Sequence, residues 1–549
     1  MKIIVYQVFT RLYGNRNATR HRNGSIEENG CGKLNDFTPS VLKQIRELGV
    51  THVWYTGLLR HATQTDYSRY GIPRQHPAVV KGRAGSPYAV CDYYDIDPDL
   101  AVNPAKRMEE FERLLNRTHR AGLKMVIDFV PNHVARQYQS VAKPKGVKDL
   151  GTDDDTTQGF SPQNNFYYCP GEAFAPQFSL QADGMDAYSE MPAKATGNDC
   201  FHRSPGKNDW YETVKLNYGV DYYAGRRGCF IPVPDTWMKM LHILRFWASK
   251  GVDAFRCDMA EMVPAEFWAW ATAKVKADHP NVLFIGEVYN PGEYRRYLAS
   301  GFDYLYDKVG MYDAMRDVVC NRRGTDAITW AWQMTDDIRS HMLYFLENHD
   351  EQRIGSDFFA GNGAKAVPAL IANALMYGNP FMVYAGQEYG ERGMDEEGFS
   401  GRDGRTTIFD YWSVDTLCRA SRKELNADEQ QLADTYRKVL NIALKEKAVS
   451  EGKSFDLMYV NGQYFRQYAF LRKAGTDVLF VVANFDDRAV TIDVCVPAHA
   501  FDFMGLKEGE TEATDLLTGN TRQLVLQRDA TVQVSLPKRG GIVLKFSTK

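Results

Sequence analysis

The feature that most constrains the fold is a series of eight short apolar runs, each followed by a longer helical pattern. The runs occupy residues 3–9, 51–56, 124–129, 252–257, 282–286, 302–306, 342–346 and 380–384. Helical segments such as "TPSVLKQIRELGV" begin with a capping residue or a proline and end at a glycine. Eight strands that alternate with helices predict an α/β fold, a (β/α)8 TIM barrel.

Two segments depart from this alternation. About a hundred residues after the third strand are rich in Gly, Asn, Pro and Tyr, where a strand–helix loop usually has about 2–6 residues. The last hundred residues alternate apolar and polar positions between turns, as in an antiparallel β-sandwich. We therefore expect a catalytic barrel over 1–133 and 236–448, an inserted domain B over 134–235, and a C-terminal β-sandwich domain over 449–549.

Composition excludes several classes of protein. A net charge of −3 argues against a nucleic-acid partner, and the chain has no run of 18 apolar residues that would span a membrane. The nine cysteines have neither CxxC spacing nor an even number, so they indicate no disulfide framework and no zinc site. The opening "MKIIVYQVFTRLYG" is typical of a first strand, which favours a cytoplasmic protein. A chain whose signal peptide had been removed would have the same sequence.

Polar side chains follow the third, fourth, fifth and seventh predicted strands. They are Asp128, Asn132 and His133, then Arg256 and Asp258, then Glu287, then Asn348, His349 and Asp350. The carboxyl ends of barrel strands form the catalytic face, so we expect these groups to converge there. Arg256 and Asp258 are two residues apart and should point to the same side of their strand, into the barrel mouth.

Paired carboxylates are the groups that cleave glycosidic bonds, one as an acid and one as a nucleophile or base. Asp258 and Glu287 end neighbouring strands, which lie about 5 Å apart. This separation favours a retaining enzyme over an inverting one. Arg256 should favour the ionised form of Asp258, while Glu287 has to hold a proton near neutral pH.

Four motifs, in this order, resemble the signature regions of the α-amylase superfamily of glycoside hydrolases: "DFVPNH", "GVDAFRCDMA", "GEVY" and "ENHD". "SPYAVCDYYDIDP" and "NPFMVYAGQEYG" are similar to its aromatic platform and its eighth strand. The resemblance implies that Asp258 is the nucleophile, Glu287 the general acid and then base, and Asp350 a partner of sugar hydroxyls. It also implies substrate contacts by Tyr88, His133, Arg256 and His349, whereas Asp128 should orient its neighbours.

The sequence departs from that family at a metal site. Many α-amylases hold a calcium ion between barrel and inserted domain, bound by an Asn, an Asp and a His. Asn132 matches the first ligand, but Lys215 in "VKLNYG" and Met262 stand where the other two are expected. Ammonium and thioether groups do not replace hard oxygen and imidazole ligands. We therefore predict no cofactor, with the Lys215 ammonium near Asn132 in place of the ion. A calcium site elsewhere, in the polar loop "YGNRNATRHRNGSIEENG", is an alternative.

A second departure concerns the leaving-group side of the cleft. Where the family often carries a Lys-His pair shortly after the nucleophile, this chain has Glu261 and Met262. Tyr289, two residues after the predicted acid, could supply an aromatic platform there.

The predicted function is hydrolysis of α-glucosidic bonds, mainly α-1,4, in starch, glycogen or maltodextrins, with a maltooligosaccharide or α-glucan as the partner molecule. An α-glucan transglycosylase or isomerase would use the same carboxylates and remains an alternative. A non-catalytic barrel, as in the partner subunits of membrane transporters, would lack these carboxylates. A sugar-binding role of the C-terminal domain competes with a purely structural one.

Overall fold

The computed structural model describes residues 2–182, 184–396 and 398–548 of the 549-residue chain. Eight parallel strands close into a barrel in the order β1-β2-β3-β4-β5-β6-β7-β8, with β8 paired to β1. The strands are β1 (Ile4–Phe9), β2 (His52–Thr56), β3 (Lys124–Phe129), β4 (Ala254–Cys257), β5 (Leu283–Gly286), β6 (Tyr304–Tyr306), β7 (Met342–Phe345) and β8 (Phe381–Tyr384). Each lies within one of the eight apolar runs, so the predicted barrel is confirmed.

Fourteen α-helices are present among the described residues. They are α1 (Thr10–Tyr13), α2 (Ile26–Asn29), α3 (Pro39–Glu47), α4 (Arg107–Arg120), α5 (Asp235–Ser249), α6 (Ala265–Asp278), α7 (Tyr294–Ala299), α8 (Asp313–Val319), α9 (Asp326–Met334), α10 (Val367–Leu375), α11 (Asp415–Arg422), α12 (Ala427–Lys445), α13 (Lys447–Ser450) and α14 (Ala498–Met504). Capping residues explain where two of these helices begin. Thr38 caps α3 by accepting from Val41 N, and Asn426 forms a capping box with Glu429 before α12.

The segment between β3 and α5 contains only short strands in its described part. These pair as His133–Ala135 with Thr213–Lys215, Tyr168–Cys169 with Ala193–Lys194, and Val220–Asp221 with Arg227–Gly228. The first pair is antiparallel, and its register places His133 opposite Lys215. This register ties the insertion to the carboxyl end of β3 and therefore to the catalytic face. A separate antiparallel pair, Leu59–His61 with Val90–Ile96, follows β2.

Two antiparallel sheets form the C-terminal domain. Their strands are β9 (Lys453–Asp456), β10 (Gln467–Ala474), β11 (Asp477–Asn484), β12 (Val490–Val496), β13 (Gly509–Asp515), β14 (Thr521–Leu526), β15 (Ala530–Leu536) and β16 (Gly540–Ser547). The larger sheet has the order β9-β10-β11-β16-β13-β14, and the smaller one pairs β12 with β15. The predicted antiparallel β domain is thus confirmed.

A buried arginine joins this domain to the barrel. The Arg472 guanidinium, on β10, donates to the carbonyl oxygens of Met376 and Ala448 at 2.9 Å each. Its side chain is almost fully buried. Within the described part of the chain, no helix combines the length and the apolar character needed to cross a bilayer.

Candidate active site

The barrel register brings the predicted groups together at one end. Arg256 on β4 is paired with Asp128 on β3, and Cys257 is paired with Gly286, directly before Glu287. Asp258 N donates to Phe129 O at 2.9 Å, and Glu287 N donates to Cys257 O at 3.1 Å. The parallel ladder therefore continues past the strand ends and sets the carboxylates side by side.

Arg256 is the centre of this cluster. Its Nη1 lies 2.6 Å from Asp258 Oδ1 and 3.6 Å from Asp128 Oδ1, and its Nη2 lies 2.9 Å from Glu287 Oε1. The guanidinium is almost completely buried, and its carbon lies 5.1 Å from the centre of the Trp54 ring. One fixed cation therefore contacts both predicted catalytic carboxylates, which lie on the same face of the molecule.

Glu287 has two hydrogen-bond donors and one cationic partner. The Tyr289 hydroxyl donates to Oε1 at 2.9 Å, Met259 N donates to Oε2 at 2.7 Å, and Arg256 Nη2 forms an ion pair with Oε1 at 2.9 Å. Met259 follows Asp258 and has φ +43°, a left-handed conformation that costs free energy for a residue other than glycine. This turn directs the amide of Met259 at Glu287, so the predicted acid is held close to the backbone that follows Asp258.

Glu261 accepts hydrogen bonds from the backbone that follows Glu287. Its Oε2 accepts from Tyr289 N at 3.3 Å and from Asn290 N at 3.1 Å. Glu261, which stands where the family often carries its Lys-His pair, therefore fixes the backbone beside the predicted acid. Tyr289 is correspondingly turned toward Glu287, which differs from the open aromatic platform that the sequence suggested.

Asp350 and His349 lie on the opposite side of the same cluster. Gln7 Nε2 donates to His349 Nδ1 at 2.8 Å, so the ring proton is on Nε2, which faces Asp350 Oδ2 at 3.2 Å and the Tyr88 hydroxyl. Burial and the Arg256 charge lower the pKa of His349 well below its usual value, so this imidazole is neutral. The Asp350 side chain is 30% exposed and is the most accessible of these carboxylates.

Burial raises the pKa of three carboxyl groups around Arg256. The pKa of Asp128 rises to about 6 and that of Asp350 to about 7, and that of Asp258 rises well above its usual value. In each case desolvation outweighs the guanidinium, and for Asp258 and Asp350 the neighbouring carboxylates raise the pKa further. The net direction at Asp258 is opposite to the sequence expectation, because one buried cation does not balance several buried carboxylates. Burial therefore favours the protonated forms of these carboxyl groups.

Tyr88 is 9% exposed, and its ring stacks on His349 with the centroids 5.3 Å apart. On the insertion side, the ring of His133 lies 5.3 Å from that of Trp210. Burial and the nearby Lys215 and Lys81 lower the pKa of His133 to about 3, so it is also neutral. Both histidines therefore present hydrogen-bonding groups without charge.

Lys215 occupies the position at which a metal ion would bind Asn132. Its Nζ lies 2.7 Å from Asn132 Oδ1 and 2.6 Å from Asp199 Oδ1, and the side chain is 2% exposed. A calcium ion on Asn132 would lie against this ammonium, and the two cations would repel each other. The residues around Asn132 therefore do not fit a calcium ion.

No group of three or more His, Cys, Asp or Glu side chains suited to a metal ion occurs in the described ranges. In the polar loop that the sequence marked as an alternative, amide groups bond to the chain itself. Asn15 Nδ2 donates to Asn29 O and Trp412 O, and Asn29 Nδ2 donates to His21 O and Tyr411 O.

Several residues of the site were missed by sequence reasoning. Gln7 orients His349, Trp54 and Tyr306 pack on Arg256, and Trp210 packs on His133. Gln7, Trp54 and Tyr306 lie on barrel strands, and their alternation could have marked them as inward-facing. No sequence signal marks Trp210, because it comes from the irregular insertion.

Two protein-family models match the chain. One is described as "Alpha amylase, catalytic domain" and matches residues 7–441. The other is described as "Alpha amylase, C-terminal all-beta domain" and matches residues 459–547. Together they cover both the barrel and the β domain.

Curated relatives agree with this match. "Alpha-amylase 3" of Dictyoglomus thermophilum is 24% identical over 544 residues, which cover 94% of this chain and 91% of the relative. An α-amylase of Streptomyces lividans is 25% identical over 569 residues, covering 94% of this chain and 56% of the relative.

Solved structures share the fold. A maltogenic α-amylase from Thermotoga neapolitana superposes with a TM-score of 0.64 at 19% identity, over 100% of this chain and 99% of the other. An α-amylase from Geobacillus thermoleovorans, complexed with acarbose, superposes with a TM-score of 0.65 at 16% identity, over 100% and 98% of the two chains.

Proposed function

The chain belongs to the α-amylase family and is a glycoside hydrolase, and on that premise we propose that it cleaves mainly α-1,4 bonds in starch, glycogen or maltodextrins with retention of configuration. The observation that carries the proposal is the single guanidinium that contacts Asp258 and Glu287 from neighbouring strand ends. A retaining mechanism needs two carboxyl groups about 5–5.5 Å apart, and an inverting one needs about 6.5–9.5 Å.

In the proposed first step, Asp258 attacks the anomeric carbon while Glu287 gives its proton to the departing glycosidic oxygen. The C–O bond breaks as the bond between the sugar and the Asp258 carboxylate forms. Arg256 then faces the esterified Asp258 and the newly ionised Glu287, so its charge stabilises the carboxylate that has just formed.

In the second step, Glu287 takes a proton from water, and the oxygen of that water attacks the anomeric carbon and releases Asp258. Three partners position Glu287: Met259 N donates to Oε2, the Tyr289 hydroxyl donates to Oε1, and the Arg256 guanidinium is paired with Oε1. Asp350, the most exposed of the carboxyl groups, would accept hydrogen bonds from sugar hydroxyls, and neutral His349 and His133 would bind others.

The raised pKa values within the carboxyl cluster bear on the protonation needed for the first step. Asp258 has to attack as a carboxylate, so the proton that its raised pKa favours has to pass to a neighbouring carboxyl group, Asp350 or Glu287, before the first step.

The test is product analysis with maltoheptaose, pullulan and β-cyclodextrin, resolved over time. We expect shorter maltooligosaccharides whose new reducing ends appear first as the α-anomer by ¹H NMR, because two inversions preserve configuration. Initial release of the β-anomer would overturn the retaining proposal. Oligomers longer than maltoheptaose among the early products would instead assign the chain to transglycosylation, in which a sugar hydroxyl replaces water.

A further inference from the structure

A cavity of about 550 Å³ opens where helix α9 meets the C-terminal domain, and none of its lining residues belongs to the candidate active site. The barrel contributes Trp330, Thr329 and Asp326 from α9. The β domain contributes residues after β9 and on α14, among them Tyr459 and Phe503. We call this cavity the flank groove.

Four aromatic side chains of the flank groove are exposed to solvent. The exposed fractions are 63% for Trp330, 61% for Tyr459, 68% for Phe465 and 44% for Phe503. Scattered single apolar side chains are normal on a surface, but a contiguous group around one concave site indicates a binding surface. These rings come from both domains, so only the assembled fold brings them together.

Hydrogen bonds join the two domains at the floor of the groove. Asp456 Oδ2 accepts from Thr329 Oγ1 at 2.6 Å, Trp332 Nε1 at 3.2 Å and the Tyr468 hydroxyl at 2.9 Å, which bonds α9 to the β domain. Phe455 is 8% exposed and lies 6.1 Å from Tyr459, centroid to centroid. The exposed rings are thus supported from below, which lowers the entropy lost when a ligand stacks on them.

The charges of the groove indicate a neutral ligand. No lysine or arginine is among its lining residues, and the nearby Lys453 ammonium lies against the Phe503 ring and donates to Phe503 O at 3.3 Å. The Asp456 carboxylate is occupied by the donors described above. Asp326, Gln333 and His499 offer hydrogen-bonding groups at the rim. Flat apolar rings with polar groups beside them fit a pyranose, which has an apolar face and a hydroxyl-bearing edge.

The groove continues beyond one end. Phe465 also lines an adjoining cleft of about 480 Å³ whose other walls include Arg323, Arg466 and Asp487. An elongated ligand could therefore pass from the rings to a segment that both donates and accepts hydrogen bonds. This shape suits a chain of several sugars better than a compact molecule.

We propose that the flank groove is a second α-glucan binding site, at which Trp330, Tyr459 and Phe465 stack on glucose units of a polymer. The choice of an α-glucan over other neutral glycans rests on the proposed function. The site would keep the protein on a polymeric or granular substrate while the active site acts on chain ends or loops nearby. Its energetic effect adds to that of the catalytic cleft through effective concentration.

The experiment measures adsorption of the full-length chain to granular starch. Asp258→Asn is the common background, so that the granules stay intact. Trp330→Ala and Tyr459→Ala are introduced singly and together, and Val525→Ala, an exposed apolar residue on β14, is the matched control. Because these side chains are exposed, the substitutions should change the melting temperature little, which calorimetry checks.

We expect each single variant to bind starch several-fold more weakly and the double variant at least tenfold more weakly than the control. All variants share one catalytic cleft, so the difference reports the groove alone. Adsorption of the double variant equal to that of Val525→Ala would overturn the proposal. So would a dimer in sedimentation velocity that Trp330→Ala converts to a monomer, since the groove would then hold a second copy of the chain.

Failure of the proposed function is seen separately. If the chain with native Asp258 leaves maltoheptaose intact while starch adsorption still depends on Trp330 and Tyr459, the catalytic proposal fails and the groove stands. If maltoheptaose is cleaved and starch adsorption is independent of both rings, the proposal for the flank groove fails and the catalytic proposal stands.

Discussion

The phenol of Tyr289 donates a 2.9 Å hydrogen bond to Oε1 of Glu287, the carboxyl group proposed to protonate the leaving oxygen. Burial raises the pKa of Tyr289 well above its usual value, and the Glu287 charge adds to this effect, so the phenol stays protonated and remains a donor. Tyr289 is therefore placed to orient the acid as well as to border the cleft.

Replacing Tyr289 by Phe should lower kcat on maltoheptaose about tenfold to a hundredfold with KM nearly unchanged, since a hydrogen bond to a charged group contributes about 1.5–3 kcal/mol. Steady-state kinetics measure both constants. Tyr94→Phe, which removes a hydroxyl bonded to His242 instead, is the control. A raised KM with kcat intact would show that Tyr289 is a sugar platform, as the sequence first suggested.

Asp258→Asn should reduce turnover of maltoheptaose by several orders of magnitude, because the amide cannot form the covalent intermediate. The variant should still fold, since Arg256 keeps its contacts with Glu287 and Asp128. Asp317→Asn on helix α8 is a control outside the site. Turnover by Asp258→Asn close to that of the control would remove the nucleophile assignment.

Glu287→Gln should also abolish hydrolysis of maltoheptaose, but the loss should be much smaller with a 2,4-dinitrophenyl maltoside. A good leaving group needs no proton, so the first step no longer depends on the acid. The comparison of kcat/KM for the two substrates isolates protonation from binding. Equal losses on both substrates would contradict the role of Glu287 as the acid.

Lys215→Met should destabilise the insertion by about 1–3 kcal/mol, because it leaves the Asp199 carboxylate without the ammonium 2.6 Å away. Thermal unfolding measures the change, and the double variant Lys215→Met with Asp199→Asn should recover most of it. The melting temperature of the unmodified chain should be the same with and without EDTA. A sharp fall in EDTA would show that a metal ion, and not Lys215, stabilises this region.

Asp350→Asn should stabilise the protein relative to the unmodified chain, and the gain should be larger at pH 8 than at pH 5. The folded-state pKa of Asp350 is about 7 and its ordinary value is 3.8. At a pH between these two pKa values, the folded chain holds a proton that the unfolded chain has released. The stability contributed by this group is therefore lost as the pH rises toward 7.

The difference in melting temperature between Asp350→Asn and the unmodified chain should therefore grow by a few degrees from pH 5 to pH 8, for an effect of about 1–3 kcal/mol. Asp317→Asn again serves as the control. A difference that is constant across this range would show that the Asp350 carboxyl does not hold a proton in the folded state.

Much of the barrel could be predicted from local pattern alone. Each strand is a short apolar run, in most cases flanked by glycine or proline, and burial on both sides of a parallel strand needs such a run. The four clusters of polar residues at strand ends follow from the same pattern, since the ends of parallel strands meet at one rim. Asp258 and Glu287 were expected on neighbouring strands, and the structure sets both against Arg256.

The contact of Lys215 with Asn132 was also anticipated, but only by comparison with a family pattern. Its physical basis is the register of a short antiparallel pair that sets His133 opposite Lys215. No local pattern fixes that register, because the segment between them is irregular. The left-handed turn at Met259 and the bond from its amide to Glu287 were likewise not predictable.

What the sequence determined by itself is the set of local choices: which segments are strands, where they end, and which ionisable groups stand at those ends. The tertiary structure alone decided which groups contact one cation, how far burial shifts the pKa of each group, and which distant segments form a common surface. The flank groove joins Trp330 to Tyr459, 129 positions later in the sequence. Hydrophobic periodicity records how each segment is buried, whereas solvation and side-chain contacts across the fold depend on neighbours that the periodicity of one segment does not specify.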